Sequence, residues 1–307
     1  MIVRAHRGFQ ECAVLEGAVC AFGVYDGVHL GHQFIIDQAL TQASECGAPC
    51  VVITFAQDPD ELFCPERVKK LMTNERRLKT LDACGVNTVL VLPATAPFFA
   101  LSASDFVQQT FARFTPMALH VGCDFHFGAK AQGNVTYLRE CGKALGFDVC
   151  AHELFEVQGA PVTSSRIRAL LESCNIAQAN ELLGRPFLLE GVVETGRQAG
   201  RTMGFRTANI TIPTNQYTLG EGVYAAYATT ESGKRYKAAV SVGGAPSFGE
   251  AAHANLEAHL IDFDQDIYEQ KLVLEFEHFL RPMMVFDSTD ELIRTVMGNI
   301  QWCRDNL

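Results

Sequence analysis

The fold is decided by the stretch Ala21-Phe22-Gly23-Val24-Tyr25-Asp26-Gly27-Val28-His29-Leu30-Gly31-His32. An apolar run, Ala18 to Val24, leads into this glycine-rich turn, and we expect the turn to open a helix that carries both histidines. Backbone N–H groups at the start of a helix carry partial positive charge, so anions collect there. Imidazoles three positions apart share one helical face, so both can reach the same phosphoryl group. The stretch therefore predicts a phosphate site between a strand and a helix.

Two other interpretations of the paired histidines stay open at this point. A metal pair needs a third ligand at a suitable spacing, and none stands near in the sequence. Two polar residues on the surface of a helix need no ligand at all. The pattern favours the phosphate site over both, but a short motif alone does not decide between them.

Composition limits the class of protein. A chain of 307 residues is long enough for two domains, each with its own core. Its 48% hydrophobic and 20% charged residues are typical of a globular protein. We find no apolar run of membrane-spanning length and no signal peptide, so we expect no membrane partner. The formal net charge of −10 argues against a general nucleic-acid binder.

Cysteine usage favours a reducing compartment. The 11 cysteines are an odd number, and no C-x-x-C pair occurs among them. A zinc ribbon or a disulfide framework is therefore poorly supported. Cys20, Cys50 and Cys150 stand in apolar runs, where a thiol behaves as a small hydrophobe. We expect a cytoplasmic protein.

The first half of the chain, up to about residue 183, alternates short apolar runs with helical patterns. Strands are predicted at Ala18–Phe22, Cys50–Phe55, Thr88–Leu92, Ala118–Val121 and Val149–His152. Helices are predicted at Gln33–Glu45, Asn74–Ala83, Ala103–Phe114 and Thr136–Leu145. This alternation predicts a parallel sheet covered by helices on both faces, with ligands bound at the carboxyl ends of its strands.

After Gly184-Arg185-Pro186 the pattern of predicted elements changes. Strands follow one another without helices between them, at Phe187–Val193, Val223–Thr229, Tyr236–Val242, Leu256–Phe263 and Leu272–Phe279. Such a series predicts an antiparallel sheet or small barrel. One helix closes the chain, with N-cap candidates in the run Asp287–Glu291. The fold class is thus an α/β domain followed by a β-barrel domain.

Motifs along nearly the whole chain match one family. The paired histidines resemble the HxGH signature of nucleotidylyltransferases, whose histidines stabilise the transition state of attack on the α-phosphate of ATP. Further matches follow in order: Val121–Gly128 with VGxDFRFG, Val162–Arg168 with ISSTRIR, Leu183–Phe187 with the opening of a kinase module, Gly196–Ile210 with GxxxGRxxGFPTANI, Gly222–Tyr224 and Glu257–Phe263. In this order and spacing, the chain resembles the prokaryotic bifunctional riboflavin kinase/FMN adenylyltransferase family, often called FAD synthetases.

The resemblance implies both a fold and a reaction. It implies a nucleotidylyltransferase-type α/β domain over residues 1–182 and a riboflavin kinase-like antiparallel β-barrel with a terminal helix over residues 183–307. The implied reactions are phosphorylation of riboflavin to FMN, then adenylylation of FMN to FAD with release of pyrophosphate. ATP is the co-substrate, Mg²⁺ the cofactor, and FMN and FAD the products.

Several residues of the first half receive roles from the resemblance. It implies catalysis by His29, His32 and Arg166. It implies ATP or phosphate contacts at Gly23, Asp26, Gly31, Ser164, Ser165 and Arg168, and flavin contacts at Asp124 and Phe125. On their own chemistry, Thr163–Ser165 can cap a helix whose first turn carries Arg166, an arrangement that suits a polyphosphate. An ordinary capped helix with solvent-exposed arginines is the alternative.

The second half contains a separate set of candidates. Gly196, Gly200 and Gly204 recur every fourth residue, with Arg201 among them, and such a basic glycine-rich connection lets the backbone approach phosphate. Thr207 and Asn209 place two oxygen donors on one face of an extended segment, which suits Mg²⁺. Two polar residues on a solvent-facing strand are the alternative. For Glu257, which stands in an apolar strand, the resemblance implies the base that takes the proton of the ribityl hydroxyl.

The chain departs from the family pattern at a few positions. The family's TFDPHP appears here as the run Thr54–Pro59, His126 replaces an arginine, Arg206 replaces a proline and Ser247 replaces a threonine. These changes leave two rival functions open: a riboflavin kinase with a degenerate first domain, and a non-catalytic sensor of flavin or nucleotide. The joint presence of four candidates counts against the sensor: His29, His32, Asn209 and Glu257.

Overall fold

The computed structural model describes residues 1–4, 13–63, 69–194, 205–243 and 256–307. Within these ranges the chain forms two compact units, Met1–Ser164 and Ser165–Leu307. The first unit contains a parallel sheet with helices, and the second contains a closed barrel. The predicted fold class is therefore confirmed. The predicted domain boundary between residues 182 and 183 stays a prediction.

The first unit is organised around a six-stranded parallel sheet with the strand order β1-β4-β3-β2-β5-β8. Strands β2, β3 and β4 are buried along their whole length, which explains their continuous apolar sequences. Two small hairpins complete the unit's strands. The strands are β1 (Ile2–Arg4), β2 (Val19–Phe22), β3 (Cys50–Phe55), β4 (Thr88–Leu92), β5 (Ala118–Gly122), β6 (His126–Phe127), β7 (Gly133–Asn134), β8 (Asp148–His152), β9 (Glu156–Val157) and β10 (Ala160–Pro161).

Helices cover both faces of this sheet. One core cluster contains Cys20, Phe22 and Phe106, and the cluster on the other face contains Ala21, Ile36 and Leu78. Side chains at the N-caps explain several helix starts, because each accepts a backbone N–H that the helix leaves unbonded. The helices are α1 (Leu30–Cys46), α2 (Pro59–Phe63), α3 (Asn74–Asp82), α4 (Ala96–Phe99), α5 (Ala103–Phe111) and α6 (Val135–Leu145).

The structure corrects two expectations about the turn that follows β2. The turn does not open a helix carrying both histidines, since α1 begins at Leu30 and His29 is its extended N-cap residue. A short 3-10 turn, Asp26–Val28, precedes it. The strand before the turn is also the second of the unit, because Ile2–Arg4 pairs with β4.

A buried arginine fixes the ends of two central strands. Arg77 on α3 donates to the backbone oxygens of Val24 and Phe55 at 2.8 and 2.7 Å and to Thr54 Oγ1 at 2.6 Å. Nearby, Lys70 and Asp58 form a largely buried ion pair. The run Thr54–Pro59, which departs from the family pattern, is therefore held by specific contacts where β3 ends.

The second unit is a closed antiparallel barrel with the strand order β11-β12-β15-β14-β13-β16. Its strands are β11 (Phe187–Glu194), β12 (Ala208–Thr211), β13 (Gly222–Thr230), β14 (Arg235–Val242), β15 (Leu256–Leu260) and β16 (Lys271–Arg281). The sequence analysis did not predict strand β12. Strand β15 ends at Leu260 rather than at Phe263, because Asp262 adopts a left-handed conformation (φ 58°) that starts a turn.

The helices α8 (Ile176–Leu183) and α9 (Thr289–Asn306, at the C-terminus) belong to this unit, as does α7 (Ser164–Glu172) apart from Ser164, the last residue of the first unit. The predicted terminal helix is confirmed, and Ser288 caps it by accepting from the N–H of Glu291. Helix α8 packs on β11 and β16. Its Asn180 side chain donates to Phe276 O at 2.8 Å and accepts from Phe187 N at 2.7 Å.

A search of the described residues for membrane spans finds no helix with the length and apolar character that crossing a bilayer needs.

The anchoring of α8 predicts that a barrel fragment of residues 165–307 is more stable than one of residues 183–307. The shorter fragment loses the buried side chains of Ile176, Ala179 and Leu182, and each large one contributes about 1.5–3 kcal/mol. Urea denaturation of both fragments measures the difference, which we expect to be at least about 3 kcal/mol. In the longer fragment, Asn180→Ala should remove about 1–3 kcal/mol of it. Equal unfolding midpoints for the two fragments would contradict the role assigned to α8.

Candidate functional site

A large cavity lies at the carboxyl ends of the central strands in the first unit. Its volume is about 910 Å³, which lies in the upper range for small-molecule sites. Seven of the sequence-predicted residues line it: Gly23, His29, Gly31, His32, Asp124, Phe125 and Ser164. The structure therefore brings the histidine turn, the aspartate loop and Ser164, the last residue of the first unit, to one site.

The two histidines face each other although only one is on the helix. Their rings stack with centroids 3.7 Å apart and an interplanar angle of 17°. Tyr25 packs edge-on against His32 at 5.2 Å. His29 is buried, and its backbone oxygen accepts from the N–H groups of His32 and Gln33, the first bonds of α1. Both imidazoles thus stand at the positive end of α1, as an anion site requires.

The turn that positions the histidines is strained. Tyr25, Gly27 and Val28 have φ angles of 61°, 81° and 41°, and a β-branched residue such as Val28 adopts such a conformation only rarely. Gln33 Nε2 donates to Val28 O at 2.8 Å and so ties the turn to α1. Contacts of the surrounding residues therefore maintain the position of His29.

Asp26 holds the turn rather than lining the cavity. Its carboxylate accepts from Leu71 N at 3.0 Å, and its backbone oxygen accepts from Ser164 Oγ at 3.0 Å. The side chain is buried. The phosphate contact predicted for Asp26 stays a prediction, and the structure gives the residue a second, supporting task.

Phenylalanines form one wall of the cavity. Phe22 packs against Phe55 at 5.5 Å and against Phe125 at 5.1 Å, and Phe99 packs against Phe55 at 5.4 Å. Sequence analysis missed most of this wall, because its rings come from separate strands and helices. Asp124 follows β5 beside this wall, and a Cβ on Gly122 would stand only 2.7 Å from Asp124 Oδ1.

Helix α7 carries the remaining candidates of the first half. It begins at Ser164, and Ser165, Arg166 and Arg168 lie in its first turns. Ser165 is exposed, and both arginines are half-buried. Their predicted contacts with phosphate stay predictions.

A second, smaller cleft lies on the barrel. Its volume is about 240 Å³, and Arg206 and Thr207 line it together with the loop Phe263–Tyr268. The loop contributes two carboxylates, Asp264 and Asp266. His259 Nδ1 is 2.8 Å from Arg206 O, and burial lowers the pKa of this histidine.

Asn209 and Glu257 are direct cross-strand neighbours on β12 and β15. On its other side Glu257 is opposite Ser241 of β14. Directly opposed residues of an antiparallel pair share one face, so three polar side chains form a row. The Glu257 side chain is exposed at its end, and partial desolvation within the barrel raises the pKa of its carboxyl above the ordinary value. Gly196, Gly200, Arg201 and Gly204 lie outside the described residues.

Comparison with known proteins supplies the family. A model of the FAD synthetase family matches residues 12–166, and a model of the riboflavin kinase family matches residues 183–307. A bifunctional riboflavin kinase/FMN adenylyltransferase of Pseudomonas fluorescens is 32% identical over 94% of this chain and 93% of its own length. One of Haemophilus influenzae is 34% identical over 91% of each chain.

A solved structure has nearly the same fold. A Streptococcus pneumoniae protein described as a macrolide-efflux protein superposes over 100% of this chain and 99% of its own, with a TM-score of 0.88 and 26% identity.

The fold and the two sites define a two-part transferase, with a nucleotidylyltransferase-type sheet and a flavokinase barrel. The chain belongs to the bifunctional riboflavin kinase/FMN adenylyltransferase family. It is an enzyme of FAD synthesis, with riboflavin, FMN, FAD and ATP as its substrates and products.

The packing around Gly31 predicts a selective loss of one activity. A Cβ at this position would lie 3.2 Å from the His29 ring and 3.2 Å from Val162 O, so Gly31→Ala should displace His29 by a few tenths of an ångström. We expect FMN adenylylation to fall by roughly 10-fold, while riboflavin phosphorylation stays unchanged in the same assay.

The matched control for this substitution is Gly298→Ala. This glycine lies in α9 with no atom within 4 Å of the added Cβ, so both activities should be retained. Equal losses of the two activities in Gly31→Ala would contradict the local explanation.

Proposed function

We propose that the chain converts riboflavin to FAD in two ATP-dependent steps, with one step at each of the two sites. The barrel transfers the γ-phosphoryl group of ATP to riboflavin and yields FMN and ADP. The cavity of the first unit joins FMN to the AMP part of ATP and releases pyrophosphate. The stacked pair His29 and His32 at the mouth of α1 is the observation that carries the second assignment.

In the kinase step, Glu257 acts as the general base. It takes the proton of the terminal ribityl hydroxyl while that oxygen attacks the γ-phosphorus. A carboxylate whose pKa is raised is a better proton acceptor than an ordinary one. The remaining catalytic effect comes from positioning and charge neutralisation around the phosphates, to which we assign Gly196, Gly200, Arg201 and Gly204.

In the adenylylation step no protein base is needed. The phosphate of FMN is already ionised at neutral pH, and its oxygen attacks the α-phosphorus as the bond to pyrophosphate breaks. His29, His32 and Arg166 neutralise the charge that develops on the α-phosphate and the leaving group. Ser164, Ser165 and Arg168 bind the phosphates, and Asp124 and Phe125 contact the flavin.

The barrel's donor set fits Mg²⁺. Thr207 and Asn209 offer a hydroxyl and an amide oxygen, the hard donors that this ion prefers. Bound with ATP, Mg²⁺ supplies neutralisation of phosphate charge and fixed orientation of the phosphate chain. Among the described residues no cluster of three His, Cys, Asp or Glu side chains is placed to hold a metal by itself. This is consistent with an ion that arrives bound to its nucleotide.

A reducing, cytoplasmic location is part of the proposal. Cys20, Cys50 and Cys303 are buried free thiols. Burial raises the pKa of Cys50 to about 12 and that of Cys303 to about 11, so both stay protonated and unreactive.

The two activities should be separable at His32. The substitution His32→Ala should lower FAD formation from FMN by roughly 10²–10³-fold and leave FMN formation from riboflavin intact, because His32 lies in the first unit and Glu257 in the second. Loss of one transition-state contact typically costs about 2.7–4 kcal/mol. Product analysis by chromatography with each flavin substrate measures both steps. Loss of riboflavin phosphorylation with adenylylation spared would reverse the assignment of the two sites.

Glu257→Gln should lower kinase turnover by roughly 10²–10⁴-fold, the usual contribution of a positioned base. Binding of riboflavin and ATP should change little, since the amide retains the size of the carboxylate. In the unsubstituted enzyme, kinase kcat/KM should fall as the pH drops through the raised pKa of Glu257, because protonation removes the base. Near-normal turnover of Glu257→Gln would exclude this role.

Asn209→Ala is the matched variant, since Asn209 is the cross-strand neighbour of Glu257. It should raise the concentrations of Mg²⁺ and ATP that half-saturate the kinase, which Glu257→Gln should not do. Steady-state titrations of both variants with Mg²⁺ make the comparison. Identical Mg²⁺ dependence in the two variants would remove Asn209 from metal binding.

A further inference from the structure

A second pair of imidazoles lies at the edge of the large cavity. His120 on β5 and His152 at the end of β8 stack with centroids 5.1 Å apart, and His120 Nδ1 is 2.9 Å from His152 Nε2. His120 Nε2 is 2.6 Å from Gln42 Oε1 on α1. His152 lines the cavity. The proposed mechanism uses none of these three residues.

The chain of hydrogen bonds fixes which nitrogen carries each proton. An amide oxygen can only accept, so His120 Nε2–H donates to Gln42. Burial lowers the pKa of His120 to about 4, and burial also lowers the pKa of His152, so both rings are neutral at pH 7. Nδ1 of neutral His120 is therefore an acceptor, and His152 Nε2–H donates to it. This leaves Nδ1 of His152 unprotonated.

The surroundings hold the His152 ring on the α1 side of the cavity. Phe34 of α1 packs edge-on against it at 5.7 Å and tilts against Phe155 at 5.4 Å. The residues described in the structure offer His152 Nδ1 no hydrogen-bond partner. A fixed acceptor thus stands in the cavity wall beside Phe34, which lies two residues after His32 on α1.

The opposite side of the sheet forms a different kind of wall. Phe22 and Phe106 belong to the core cluster on that side and line the cavity there. A broad apolar wall suits the tricyclic ring of a flavin. The wall on the α1 side contains His152 and Phe155, with Phe34 packed against both rings. It combines aromatic contact with one hydrogen-bond acceptor, which suits a smaller base that carries an amine.

We infer that His152 is a specificity residue for the nucleotide, accepting through Nδ1 a hydrogen bond from the exocyclic amine of adenine, and that His120 and Gln42 are positioning residues that keep Nδ1 unprotonated. A base with a carbonyl oxygen at that position would place acceptor against acceptor. The inference rests on the proposed adenylylation at His29 and His32, and it names how that site selects ATP.

The test compares ATP with purine riboside triphosphate, which has the same triphosphate and lacks the amine. The unsubstituted enzyme should adenylylate FMN with a kcat/KM about 3- to 10-fold higher for ATP, the usual range for one neutral hydrogen bond. His152→Phe keeps a ring against Phe34 and should bring this ratio close to one, mainly by slowing the reaction with ATP. His120→Phe should reduce the ratio partly, since it frees the tautomer of His152.

Two controls accompany these variants. His126→Phe alters another cavity histidine, whose Nδ1 lies 2.7 Å from Asp124 O, and it should leave the ratio unchanged. The kinase step of the His152→Phe protein uses ATP at the barrel, so its nucleotide ratio should equal that of the unsubstituted enzyme.

The possible results separate the inference from the function on which it rests. Equal use of the two nucleotides by the unsubstituted enzyme would overturn the role of His152, whatever the variants do. An unchanged ratio in His152→Phe with FAD still formed would overturn it as well, and leave adenylylation in place. Absence of FAD formation by the unsubstituted enzyme with either nucleotide would overturn the proposed function itself.

Discussion

The first unit depends on a strained turn that is held in place by buried hydrogen bonds. Within four residues, Tyr25, Gly27 and Val28 adopt left-handed conformations, and each such non-glycine residue costs on the order of 1–3 kcal/mol. The guanidinium of Arg77 fixes Val24 just before the turn, and Asp26 accepts from Leu71 within it. Desolvation lowers the pKa of Arg77, but it stays charged and its bonds are strong for that reason. The conformation of the turn places His29 at the N-cap of α1, where its ring stacks on that of His32.

The same constraint connects the fold to the chemistry. Adenylylation needs cationic or hydrogen-donating groups arranged before the reaction, because reorganising them during it would cost part of the stabilisation. A turn with several external bonds supplies this rigidity. In the barrel, a closed ladder of strands fixes Asn209, Glu257 and Ser241 in register.

Much of this organisation could be predicted from the sequence. Strands β3 and β4 were predicted to the residue, since their continuous apolar runs end at clear turn signals. The start of α1 was wrong by a few residues, because the glycine-rich turn adopts a conformation that periodicity does not encode. Strand β1 was missed because three residues give no periodic signal. The aromatic wall and the pair His120 and His152 were missed because their members come from separate elements and meet only in the folded protein.

The roles proposed for individual residues rest on family resemblance and geometry together, while the order of the two reactions follows from chemistry. FMN must exist before it can be adenylylated, so the phosphate added to riboflavin becomes the nucleophile of the next step. The two sites therefore draw on two ATP molecules and on different phosphorus atoms. This division of the phosphates is the central claim about how the chain makes FAD.

Isotope labelling tests that claim most directly. The protein is supplied with riboflavin and with ATP labelled either in the γ-phosphate or in the α-phosphate, and the FAD formed is cleaved at its pyrophosphate bond. The account predicts that γ-label appears in the FMN half and α-label in the AMP half, with one phosphate from each position. Labelled FMN without any labelled FAD would contradict it, as would FAD whose FMN half carries the α-label.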